Sequence, residues 1–148
     1  EGMNKKSEQV YQLVAGMRTR GVPIDGVGLQ FHWNLGGHDP LDDVASNMNR
    51  LAALGLEVHI TELDIKCVPQ GSSQPCTPNL LNSQAQLYAA ILATCLAAPN
   101  CKSFETWGFT DRHTWIGTAT APLPFDVGYK PKPAVDAMIN LMLSNYSV

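Results

Sequence analysis

Three short apolar runs alternate with four segments of helical spacing, and this alternation restricts the possible folds more than any other feature. Val10, Leu13, Val14 and Met17 make an i, i+3, i+4, i+7 stripe over Ser7 to Arg20, and Gly21 after two arginines marks a helix stop. Ile24 to Phe31 reads as a buried strand. Asp39-Pro40 reads as an N-cap with proline at the first helical position, opening a helix with Val44, Met48 and Leu51 that stops at Gly55. Leu56 to Ile65 is strand-like, and Lys66 to Leu81 is a loop rich in Pro, Ser and Gly. Ser83 with Gln86 makes a capping box ahead of a helix carrying Leu87, Ile91, Leu92 and Cys95. Ser103 to Thr110 is a third strand, Asp111 to Lys130 a long loop, and Pro131 to Ser144 a last helix.

The order α-β-α-β-α-β-α predicts an α/β fold with a parallel sheet covered by helices. Two architectures fit, a doubly wound sheet and a (β/α)8 barrel. No G-x-G-x-x-G follows a strand, so a dinucleotide fold has no support and no cofactor is expected. In both architectures the working residues sit at the carboxyl ends of the strands.

Only 16% of the 148 residues are charged, against roughly 25% in an average domain, and the net charge is −3. That excludes a basic nucleic-acid binder and argues against a polybasic membrane-surface protein. No apolar run approaches the roughly 18 residues of a membrane-crossing helix. Cys67 and Cys76 flank a polar loop, and Cys95 and Cys101 bracket a helix end and turn. Neither spacing is CxxC, so zinc or redox chemistry is not expected. An even count in short loops points to disulfides and to an oxidising, extracellular compartment, with four buried thiols as the alternative.

The strand ends collect the unusual residues. The first ends Gln30-Phe31-His32-Trp33, the second Thr61-Glu62-Leu63-Asp64, and the third Trp107-Gly108-Phe109-Thr110-Asp111, with Trp115 beyond. Side chains alternate along a strand, so Gln30 shares a face with His32, Ile60 with Glu62 and Asp64, and Glu105 with Trp107. Glu105 falls deeper than Trp107 and would need a buried partner or a raised pKa. His59 falls on the opposite face from Glu62, so a shared metal site is not expected. His38, His59 and His113 read as structural or solvated, and Asp111 as a possible turn cap. Carboxylates move protons or attack carbon, indoles stack on sugar rings, and amide and imidazole groups bind hydroxyls. The set suits a neutral, hydroxyl-rich ligand better than a phosphate.

These strings resemble glycoside hydrolase family 10, the retaining endo-β-1,4-xylanases. The matches are Gly26-Val27-Gly28-Leu29-Gln30 with His32, Ile60-Thr61-Glu62-Leu63-Asp64-Ile65, Thr106-Trp107-Gly108 with Asp111 and Trp115, and Phe125-Asp126 with Tyr129-Lys130-Pro131-Lys132-Pro133-Ala134. The resemblance implies that Glu62 is the nucleophile, that His32 hydrogen-bonds it, and that Asp64 supports His32. It places Gln30 in the cleft and makes Trp107 and Trp115 sugar platforms. The Cys95–Cys101 spacing also resembles a disulfide of the family. Glu105, Ile116 and an aromatic rim at Phe31 and Trp33 depart from the pattern.

Retaining hydrolysis needs two carboxyl groups about 5–5.5 Å apart. In the family the acid/base follows an asparagine after the fourth strand, and this chain contains no Asn-Glu pair. Glu1-Gly2 resembles the tail of the loop after the fifth strand. The expectation is therefore a single unit, residues 1–148, forming the C-terminal half of a (β/α)8 barrel of about 250 residues. Such a half would bind xylan or xylo-oligosaccharides, hydrolyse nothing alone, and self-associate or pair with an N-terminal half through its open sheet edges. The alternatives are a non-catalytic carbohydrate-binding half barrel and action on a related β-glucan.

Overall fold

The computed structural model describes residues 1–68, 71–72 and 74–146. Pro69, Gln70 and Ser73, part of the expected loop after the second strand, lie outside the described residues. The elements run α1 (Lys5–Thr19), β1 (Gly26–Leu29), β2 (His32–Asn34), α2 (Leu41–Ala53), β3 (Glu57–Lys66), α3 (Pro78–Ala97), β4 (Cys101–Thr106) and α4 (Pro133–Tyr146). Short 3-10 turns at Asp111–His113 and Thr118–Thr120 break up the long loop before α4. All pairings between these strands are parallel: β3 is central, β1 and β2 lie end to end along one side, and β4 lies along the other. With α2 between β2 and β3 and α3 between β3 and β4, this is a partial (β/α)8 barrel, one of the two architectures that the alternation allows and the one that the resemblance implies.

The core lies between the sheet and its helices. Val58, Ile60, Leu63 and Ile65 of β3 are fully buried, packed with Val44, Met48 and Leu51 of α2 and with Tyr88 and Ile91 of α3. Gly26 is required by close approach, since a Cβ there would lie 2.9 Å from the Glu57 carbonyl oxygen. By length and composition α3 passes for a membrane-crossing helix, contrary to the sequence expectation. Its buried Gln84, Tyr88 and Cys95 pack it as a core helix instead.

The expected first strand is two strands. Phe31 breaks it with φ of +61°, unusual for a bulky residue and costing about 1–3 kcal/mol. Burial offsets that cost: the Phe31 ring is wholly buried, 4.7 Å from the Trp33 ring, and its amide donates to Glu1 Oε1. Phe31 and Trp33 therefore belong to the core, and neither makes the rim more aromatic.

Two expected caps are also corrected. Asp39 does not cap α2; its carboxylate accepts from the Gly2 amide (2.7 Å), Asn4 Nδ2 and the N-terminal ammonium, tying the start of the chain to the entry of α2. Burial opposes ionisation there, but these three donors together hold the carboxyl below its ordinary value. Ser83 sits inside α3, its hydroxyl donating to the Asn79 carbonyl, and the true cap is Thr77 with Pro78 in the first turn. Cys67–Cys76 and Cys95–Cys101 both form disulfides.

Candidate active site

The site depends on an irregularity of β3. From Leu29 to His32 its neighbour advances three residues while β3 advances four, Ile60 to Asp64. On the other side β4 advances two, Phe104 to Thr106, while β3 advances three, Ile60 to Leu63. Both neighbours therefore place one extra residue at Thr61–Glu62, which is a β-bulge. The bulge reverses the alternation. Ile60 stays in the core, whereas Glu62, with 22% of its side chain exposed, turns to the open face. Strict alternation had put Ile60, Glu62 and Asp64 together; the extra residue separates Ile60 from the two carboxylates. The same reversal brings His59 to the Glu62 side. There it pairs with Ser103 Oγ (3.0 Å) and Glu57 (3.5 Å), and no metal-binding group occurs among the described residues.

Glu62 is held at both oxygens. Gln30 Nε2 donates to Oε1 at 3.2 Å, and His32 Nε2 lies 3.2 Å from Oε2. His32 Nδ1 lies 3.0 Å from Asp64 Oδ2, and the same oxygen accepts from the Trp115 indole at 2.8 Å. Trp115 meets the His32 ring edge-on, centroids 5.2 Å apart, and keeps 62% of its surface exposed. The structure thus joins Gln30, His32, Glu62, Asp64 and Trp115 in one network. Trp107 stands apart from it: its amide donates to the Leu63 carbonyl, and its side chain is exposed.

Glu105 is exposed, contrary to the expectation of a buried partner. That expectation assumed a closed barrel interior, whereas four strands leave this sheet face open. Asp111 is no surface cap: its carboxylate accepts from the Leu123 amide (2.7 Å) and from Lys132 Nζ (3.0 Å), both side chains nearly buried. Lys132 also donates to the Ala121 carbonyl, and Gln84 and Tyr88 donate to carbonyls of Ala121 and Pro122. Burial, with negative Asp64 and Asp111 nearby, pushes the Tyr88 phenol well up, so the hydroxyl remains a donor. These groups anchor the loop that carries Trp115. No role for Lys132, Gln84 or Tyr88 was legible in the sequence, because each acts on loop carbonyls whose position only the tertiary fold sets.

Chemically, Glu62 is a fixed, partly exposed carboxylate suited to nucleophilic or base work. Asp64 is a poor second partner, since it is 1% exposed and already bonded to an imidazole and an indole.

A carboxylate of this kind at the carboxyl ends of parallel barrel strands sits on the face where barrel active sites are built. The chain belongs to glycosyl hydrolase family 10, whose family model matches residues 1–141. It is 38% identical to endo-1,4-beta-xylanase B of Thermotoga neapolitana, over 96% of this chain and 41% of that protein. It is 37% identical to endo-1,4-beta-xylanase B of Neocallimastix patriciarum, over 96% of this chain and 15% of that protein. Xylanase 10B from Thermotoga petrophila RKU-1, solved in complex with xylobiose, superposes with a TM-score of 0.87 at 34% identity, covering 97% of this chain and 44% of that one. The chain thus spans less than half the length of these relatives.

Proposed function

We propose that this chain carries the nucleophile side of a retaining endo-β-1,4-xylanase site. In that reading Glu62 attacks the anomeric carbon of a xylosyl unit and forms a glycosyl-enzyme intermediate. Gln30 and His32 fix its two oxygens, and Asp64 orients the imidazole. Trp107 and Trp115 present indole faces to the sugar chain. The observation that carries the reading is the bulge-directed Glu62 with both oxygens bonded beside an exposed indole. The proton donor to the leaving oxygen is supplied by further barrel strands. The outer edge of β1 and the open edge of β4 support association with such strands or with a second copy. The two disulfides support an extracellular compartment.

Calorimetric titration with xylotriose tests the substrate class. Binding is expected, and Trp115→Ala is expected to weaken it roughly tenfold, the loss of one stacked ring of about 1–1.5 kcal/mol. No heat of binding at millimolar sugar, or an unchanged affinity in Trp115→Ala, would refute the assignment. The hydrogen bonds of Glu62 run to Gln30 and His32, and neither is a carboxylic acid. That observation also fits a second reading, a half barrel that binds β-glycan without cleaving it.

A further inference from the structure

We propose that Phe109 and Tyr129, with Arg112, His113 and Lys130 around them, form a second carbohydrate site on the rim that takes a sugar unit bearing a carboxylate. The proposal rests on the reading that this rim binds polysaccharide, and adds a specificity determinant outside the Glu62 network.

The two rings are the platform. Phe109 is 55% and Tyr129 47% exposed, with centroids 6.0 Å apart and planes 34° from one another. Phe125 supports Phe109 edge-on at 5.7 Å. Tyr129 is presented deliberately by its backbone: φ is +64°, and Asp126 Oδ1 accepts from the amides of Gly128 (2.7 Å) and Lys130 (2.9 Å). His113 Nε2 fixes the phenol oxygen at 3.1 Å, and the Arg112 guanidinium sits 5.8 Å above the ring. A bulky residue held at positive φ thus keeps about half of its surface in solvent, with Phe109, His113 and Arg112 as its neighbours.

Charge selects the ligand. Between Arg112 and Lys130 the sole acidic residue is Asp126, and one of its oxygens is committed to two amides. Arg112 and Lys130 are exposed and make no ion pair with a carboxylate among the described residues. What sets Arg112 apart is its place: its guanidinium lies over the exposed Tyr129 ring, with Lys130 the next residue in the chain. A neutral sugar chain needs neither, whereas a uronate offers the planar carboxylate that a guanidinium binds in a fork. In the chain the site neighbours the candidate active site: Trp115, bonded to Asp64, lies three residues beyond Arg112.

The test is NMR titration of the chain with xylotriose, with xylotriose carrying one glucuronic acid branch, and with inorganic phosphate. The branched sugar is expected to bind about 3- to 5-fold tighter than the unbranched one at low salt, in the range of an exposed ion pair. It should shift Phe109, Arg112 and Tyr129 resonances, with the preference fading as salt rises. Arg112→Ala should abolish the difference between the sugars. Equal affinities, a preference that survives in Arg112→Ala, or phosphate competing as well as the branched sugar would each overturn the proposal. If xylotriose shifts Trp115 and Glu62 while the branch adds nothing, this inference fails and the xylanase reading stands. If neither sugar shifts either region, both fail.

Discussion

Lys132→Met is expected to lower the unfolding free energy by about 3–5 kcal/mol, a large share of the 5–15 kcal/mol typical of a domain. The substitution keeps the length of the side chain and removes its charge. Asp111 is then left buried with only the Leu123 amide as donor. In the native pair, burial pushes the Asp111 carboxyl up against the opposing pull of Leu123 and Lys132, and burial pulls the Lys132 ammonium down. Without Lys132 the carboxyl rises further. A carboxyl raised by folding contributes its stability below its unfolded value, near pH 4, and loses it as pH climbs through the folded value. The deficit of Lys132→Met should therefore be small near pH 3.5 and full at pH 7. Urea unfolding followed by circular dichroism at the two pH values measures it, and an equal deficit at both would refute the account. Asp111→Leu combined with Lys132→Met removes both charges and should recover most of the loss.

The second large effect concerns turnover. The purified chain is expected to release no reducing sugar from xylan, and to gain activity when the remaining strands of a family barrel are added as a separate polypeptide. Among the described residues the hydrogen bonds of Glu62 run to Gln30 and His32 and to no carboxylic acid, and Asp64 is buried and shared between His32 and Trp115. In the reconstituted mixture Glu62→Gln should lower kcat on the order of 10⁴-fold or more, since an amide cannot replace the attacking carboxylate. Sedimentation of the mixture should show the two chains together, because pairing satisfies the outer edge of β1 and the open edge of β4. Xylan hydrolysis by the chain alone, lost in Glu62→Gln, would contradict this reading.

How much of this was legible in the sequence follows from how local each feature is. The α1 stripe with Gly21 behind it and the α2 stripe with Gly55 behind it are set by neighbours a few residues apart, and both helices form as read. The start of α3 was misplaced because two cap signals compete, and Thr77-Pro78 wins over Ser83-Gln86 six residues later. Asp39 was misread because its donors come from Gly2 and Asn4, far away in sequence. At the site, Glu62, His32, Asp64 and Gln30 were legible as residue types at strand ends. Their mutual aim was not, since it depends on the Phe31 break and the bulge at Thr61–Glu62. The bulge exists only relative to neighbouring strands, and nothing local marks Phe31, a bulky residue, for positive φ. Glu105 was misjudged for a related reason: its burial depends on strands opposite it, not on its own sequence context.

The central claim is that Glu62 is a glycosyl nucleophile, and trapping it covalently tests that claim without requiring a proton donor. A dinitrophenyl 2-deoxy-2-fluoro-xylobioside loses dinitrophenolate, which departs with the bonding electron pair unprotonated. The Glu62 carboxylate would form the new bond to the anomeric carbon, and the fluorine slows its hydrolysis. Intact-mass and peptide mass spectrometry should find one fluoro-xylobiosyl adduct, on the peptide containing Glu62, and none in Glu62→Gln. No adduct at saturating reagent, or an adduct on another carboxylate such as Asp64 or Glu105, would contradict the account.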